Sequence, residues 1–239
     1  MKTTLRICAS LFVVCLGQAF AQTSFTLNLG GPANVETIRN SMIFSGGGVS
    51  ATARSWSISQ TGTLPKLAQS EVVQWEPGIG SKNSSEVITT VPFVPYYVDN
   101  KDHYDFILFV FDRNVDLTSL SINPSGNNFD TDASYWFGNV NSNISLTGKD
   151  LSELSSLGFG LRKDNDTVPS TLARTFSLTG GPTGGANALL VGARVTGDAD
   201  FDRFKISTIR GNTVTAIPEP SMLGLLAAGV ALIAFRRRR

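Results

Sequence analysis

Asp105-Phe106-Ile107-Leu108-Phe109-Val110-Phe111-Asp112 is the stretch that decides the fold. Its six apolar residues are mostly aromatic or β-branched, and they stand between two aspartates. That run is too short for a buried helix and suits a central strand covered on both faces. Asp112-Arg113-Asn114 then reads as a turn. Beyond it Val115 and Leu117 alternate, and Leu120 and Ile122 resume one residue out of phase, which predicts a bulge between the pairs.

Working outward, the same period of two recurs along the chain. Phe25, Leu27 and Leu29 alternate, as do Val49, Ala51 and Ala53, with Trp56 and Ile58 in shifted phase. Downstream come Leu157, Phe159 and Leu161, then Leu172, Arg174, Phe176 and Leu178. Leu189, Val191, Ala193 and Val195 follow, and last Phe204 and Ile206. Gly/Pro/Asn clusters such as Gly180-Gly181-Pro182-Thr183-Gly184-Gly185 separate these runs. A single short helix is expected. Asp150-Leu151-Ser152-Glu153 forms a capping box, Leu151, Leu154 and Leu157 share a face, and Gly158 can end it. The expected fold is therefore all-β, an antiparallel β-sandwich of jelly-roll type spanning residues 22–216.

The two ends of the chain carry targeting patterns. Lys2 and Arg6 precede an apolar span from Ile7 to Gly17, and Ala19-Phe20-Ala21 forms a small-residue cleavage site before Gln22. Residues 1–21 thus read as a secretory signal peptide. A lipoprotein reading would use Cys15, but Val14 stands where a small residue is usual. Cys8 and Cys15 are the two cysteines of the chain and both lie in this leader, so residues 22–239 contain no disulfide, thiol nucleophile or cysteine metal ligand. At the other end Ile217-Pro218-Glu219-Pro220 is followed by uncharged Ser221 to Phe235 and then Arg236, Arg237, Arg238 and Arg239. The prolines stiffen the approach and withhold two backbone donors. As a helix, the apolar span would measure roughly 22 Å, short of the ~30 Å hydrocarbon core, and local thinning or snorkelling arginines would bridge the difference. The arginines hold their end in the cytoplasm.

This tail resembles the PEP-CTERM sorting signal of exported bacterial proteins. Pro218, Glu219 and Pro220 match its motif, and Arg236 to Arg239 its basic end. The resemblance implies a secretion route, processing by an exosortase and transient residence in the inner membrane. It further implies delivery to the surface or extracellular matrix beside an exopolysaccharide or biofilm system. A second resemblance lies in the body. Glu76-Pro77-Gly78-Ile79-Gly80-Ser81, Val98-Asp99-Asn100, Tyr104 to Asp112, Val115-Asp116-Leu117, Asp130-Thr131-Asp132 and Leu157-Gly158-Phe159 occur in that order. The succession is similar to exosortase-dependent surface proteins. It departs at Tyr96-Tyr97-Val98, where that family usually has His-Ala, so no histidine role carries over.

Without its two ends the body has 14 basic against 18 acidic residues, which removes any electrostatic footprint for nucleic acid. His103 is the one histidine, no G-x-S-x-G elbow exists, and a histidine/cysteine zinc site is excluded by composition. Gly78-Ile79-Gly80-Ser81-Lys82 lacks P-loop spacing and reads as a turn. The acidic clusters are better candidates: Asp99, Asp105 and Asp112 flank the central strand, Asp130 and Asp132 form a D-x-D pair, and Asp198, Asp200 and Asp202 alternate. Aspartates in loops are ordinary turn residues, and such clusters also supply the oxygens that calcium requires. The expectation is a non-enzymatic surface or matrix protein without a cofactor, structural calcium at these aspartates being the exception weighed. The alternative is a lectin-like module using Trp56, Trp75, Tyr96, Tyr97, Tyr135 or Trp136 against polysaccharide.

Overall fold

A computed structural model of the chain describes residues 20–60, 65–86, 96–124, 130–166, 172–195 and 201–216. The strands begin with β1 (Phe20–Ala21), β2 (Ser24–Asn28), β3 (Thr37–Arg39), β4 (Met42–Gly46), β5 (Val49–Ser59), β6 (Leu67–Trp75) and β7 (Gly78–Lys82). They continue with β8 (Val98–Asp99), β9 (His103–Pro124), β10 (Ala133–Gly138), β11 (Lys163–Asn165) and β12 (Arg174–Ser177). The last are β13 (Ala186–Ala193), β14 (Arg203–Thr213) and β15 (Thr215–Ala216), with one 3₁₀ helix at Leu151–Leu157. The chain falls into two compact units. One is Gln22–Val214; the other joins Met1–Ala21 to Thr215–Arg239, and its described part is the antiparallel pair β1–β15.

The all-β class is as expected, but the architecture is not two facing sheets. Thirteen strands form one continuous sheet, in which β9, β5, β6, β7 and β14 close a five-stranded antiparallel ring. The reason is the length of β9. At 22 residues it is long enough to pair with two strands in succession along each edge. Residues 106–110 lie between β5 and β13, and residues 119–122 between β14 and β12. Val115 pairs with both Ala186 and Thr213, so β13 and β14 take opposite edges there, and β5 and β14 share one edge. A strand whose partner changes halfway turns a sheet back on itself.

Asp112-Arg113-Asn114 does not turn the chain; β9 runs through it with these three residues exposed. The irregularity is absorbed instead as a bulge against β13, whose register jumps from Val110 to Val115. The bulge expected between Leu117 and Leu120 is present: Arg210 pairs with Ser119 and Gly211 with Leu117, leaving Thr118 over. Gly78–Lys82, read as a turn, is strand β7, and the turn lies just before it at Glu76 and Pro77. Leu157 is helical, Phe159 makes one bridge to Gly138, and Leu161 is exposed, so no strand forms there. The capping box at Asp150 and Glu153 is formed, and Gly158 closes the helix in the left-handed region at φ 96°.

The central strand is buried on both faces as expected. Ile107, Phe109 and Phe111 enter one core with Phe25, Leu27, Leu29, Ile79, Phe204 and Ile206. Phe106, Leu108 and Val110 enter a second core with Trp56, Trp136, Leu154 and Phe159, beneath the 3₁₀ helix. Each such fully buried side chain contributes about 1.5–3 kcal/mol relative to exposure. The first face continues into polar side chains: Ser55 donates to Ser81 at 2.6 Å, Ser57 and Ser70 share a 2.5 Å bond, and Ser57 donates to Asp105 at 2.6 Å.

Candidate functional site

Three of the aspartates in the sequence meet in space. The oxygens of Asp130, Asp132 and Asp202 lie within 4.8 Å of one another, and all three residues are buried. Asp130 and Asp132 lie just before β10 and Asp202 immediately precedes β14, and a parallel bridge joins Asp130 to Asp202. Backbone bonds secure the crossing: Asp130 donates to Phe201 at 3.1 Å and Arg203 to Asp130 at 2.9 Å.

These carboxylates are already in use. Asp202 accepts from the Asp132 amide at 2.7 Å through Oδ1, and from the Asn100 side-chain amide at 2.8 Å and the Arg194 amide at 3.2 Å through Oδ2. The Asp202 amide in turn donates to Asn100 Oδ1 at 2.9 Å. Arg194 bridges Asp132 at 3.0 Å and Asp166 at 3.1 Å. Arg174 donates to Thr131 Oγ1 at 2.9 Å; burial lowers the pKa of its guanidinium, and the three aspartates oppose that shift. The network ties the ends of β8, β13 and β14 to the start of β10. Chemically it satisfies buried backbone donors, and it brings together three carboxylates of the kind that hard divalent cations take as ligands.

The other expected ligands are elsewhere. Asp112 is exposed and holds Arg113 through two bonds of 3.1 and 3.0 Å, which lower its carboxyl pKa. Asp105 is fully buried on Ser57, its Oδ2 has no hydrogen-bond partner among the described residues, and burial followed by the Asp99 charge raises its pKa well above the carboxylate range. Asp99 lines a polar cavity of about 220 Å³ with Glu86, Asp102, His103 and Arg203. Burial raises Asp99 and pushes Glu86 up to about 7. Asp198 and Asp200, like Ala19, lie outside the described residues, and of Ala21 only the strand pairing is described. Asp202 belongs to the site although its sequence grouping with Asp198 and Asp200 pointed to a single strand face. The signal that identifies it is the long-range bridge to Asp130.

The six candidate stacking rings do not form an exposed row among the described residues. Trp56, Tyr96, Tyr135 and Trp136 are buried. Trp75 and Tyr97 are half-buried, with Lys205 Nζ lying 5.8 and 5.1 Å from their ring centres and Arg203 4.5 Å from Tyr97.

The tail is decided by comparison with known families. Residues 216–239 match the PEP-CTERM protein-sorting motif. The PEP-CTERM motif supports an exported protein handled by an exosortase, and the match covers only the tail from Ala216 onward. No curated protein and no solved structure matches the chain. Pro218, Glu219, Pro220 and Arg236 to Arg239 fall within the matched segment and outside the described residues. Among the described residues no helix is long and apolar enough to cross a membrane.

Proposed function

We propose that this chain is a non-enzymatic surface or matrix protein, exported with a cleaved leader and held briefly in the inner membrane by its tail. An exosortase then processes it near Pro218-Glu219-Pro220, and the β-rich body is deployed beside the producer's own polysaccharide. The observation that carries this reading is the PEP-CTERM match at residues 216–239. A structural rather than catalytic body is supported by the use of its buried polar groups: the serines around Asp105 and the aspartates around Asp202 are spent on internal hydrogen bonds. The test is intact mass and cell fraction in the producing host, with and without Glu219→Ala. The wild type is expected to lose the segment beyond the motif and leave the inner membrane, while the variant stays. Full-length tails and identical membrane fractions in both would overturn the reading.

A second reading, favoured by the 4.8 Å grouping, places a structural calcium ion among Asp130, Asp132 and Asp202. Calorimetric titration with calcium is expected to show one site per chain that Asp202→Asn abolishes; no heat of binding in the wild type refutes it.

A further inference from the structure

The first strand of the Gln22–Val214 unit is fastened to the last one. Residues Ser24 to Asn28 of β2 pair antiparallel with Asn212 to Thr208 of β14, and β14 is the ladder partner of β2 among the described residues. The Thr213 amide extends the pairing by donating to the Thr23 carbonyl at 2.8 Å. β2 alternates strictly: Ser24, Thr26 and Asn28 are exposed, while Phe25, Leu27 and the following Leu29 are buried in the first core. Its continuation is Gly30-Gly31-Pro32-Ala33-Asn34-Val35-Glu36, whose stretch Pro32–Val35 is exposed and in which Asn34 sits in the left-handed region at φ 59°. Seven extended residues reach about 24 Å.

We propose that β2 is exchanged between copies of this chain, the strand of one copy filling the site along β14 of the next. The occupant is fixed by complementarity. The groove left without β2 needs three apolar side chains spaced two apart and a backbone edge for Thr208 to Asn212, and a second copy offers that same segment. Every contact broken on release is remade in the neighbour, so closed and exchanged forms differ mainly in strain of the linking loop and in concentration. Asn34 places a non-glycine residue in a left-handed conformation in that loop, which opening relieves. The giving and receiving surfaces are different, so exchange either closes reciprocally between two copies or continues from copy to copy as an open chain. This inference rests on the proposed accumulation of the protein at a surface, where local concentration favours exchange over self-closure.

Cysteine pairs read it directly, because Cys8 and Cys15 are the native cysteines and serine can replace both. Thr26 and Arg210 are cross-strand partners with exposed side chains. Full-length chains carrying Thr26→Cys or Arg210→Cys alone are produced together in the host, oxidised, and analysed by non-reducing gel and peptide mass. Exchange gives a disulfide-linked dimer joining the two different variants, and the double variant on one chain gives a dimer or a ladder that collapses on reduction. A double variant whose disulfide closes only within single chains, with the separate variants left unlinked, overturns the proposal. Ser24→Cys and Asn212→Cys, the adjacent partners on the same face, repeat the test; no inter-copy disulfide with either pair has the same meaning. A missorted protein would change the fraction in which it is recovered, not the disulfide pattern, so the two readings fail separately.

Discussion

Replacing Lys205 with methionine is expected to make the protein more stable. Lys205 is 1% exposed, and its ammonium has no hydrogen-bond partner among the described residues. Burial pushes its pKa from 10.5 down to about 8. The gap corresponds to about 3 kcal/mol against the charged form at neutral pH. The rings of Trp75 and Tyr97, 5.8 and 5.1 Å away, return part of what hydration would give. Methionine has similar length and no charge, so Lys205→Met is expected to gain about 2 kcal/mol at pH 7. The folded-state pKa is depressed, so between 8 and 10.5 the folded protein binds fewer protons than the unfolded one. Wild-type stability therefore rises with pH across that window, and the advantage of the variant shrinks toward zero above it. Urea unfolding followed by tryptophan fluorescence at pH 7 and pH 10.5 measures both terms. A variant less stable than the wild type at pH 7, or an advantage that does not change with pH, would refute the reasoning.

Two further outcomes are expected. Glu86 is raised from 4.5 to about 7 by burial, so its contribution to stability is fully present below pH 4.5 and lost as pH rises through 7. Because Glu86 is only half-buried, screening reduces the effect to about 1–2 kcal/mol; melting curves should show the protein firmer at pH 5 than at pH 7.5, with a smaller difference in Glu86→Gln. Asp99 and Asp105 are shifted the same way and keep part of the slope. Asp202→Asn replaces one carboxylate oxygen with an NH2 group, which sets a donor against either the Asp132 amide at Oδ1 or the Arg194 and Asn100 donors at Oδ2, and removes a buried charge, at a cost of about 2–4 kcal/mol in urea unfolding; a loss under about 0.5 kcal/mol would mean the network is not structural.

What the sequence made legible was local. The run Phe106 to Phe111 announced a strand covered on both sides, the phase slip after Leu117 announced a bulge, and Asp150 with Glu153 announced a helix start. Each of these is settled within a few residues. The closed ring was not legible, because alternation says which face of β9 is buried but not which strand lies along each edge. Two facing sheets and one ring present the same inward-outward pattern. The buried serines were missed for a related reason: nothing in the local sequence around Ser55, Ser57, Ser70 and Ser81 marks them as buried, because their partners come from neighbouring strands. Asp130 and Asp132 were recognisable as a pair, yet their completion by Asp202 depends on a crossing about seventy residues away in sequence.

The place of β14 in the topology also bears on export. This strand, the eleven residues from Arg203 to Thr213, supplies the seam between β9 and β7 and holds β2. It is among the last parts of the body to be synthesised. Until it emerges the ring has a gap, β2 has no ladder, and the first core lacks Phe204, Ile206 and Ile209. Pairings of such wide sequence separation form slowly even in a free chain. On the proposed export route, the ring therefore closes only after β14 has been released on the far side.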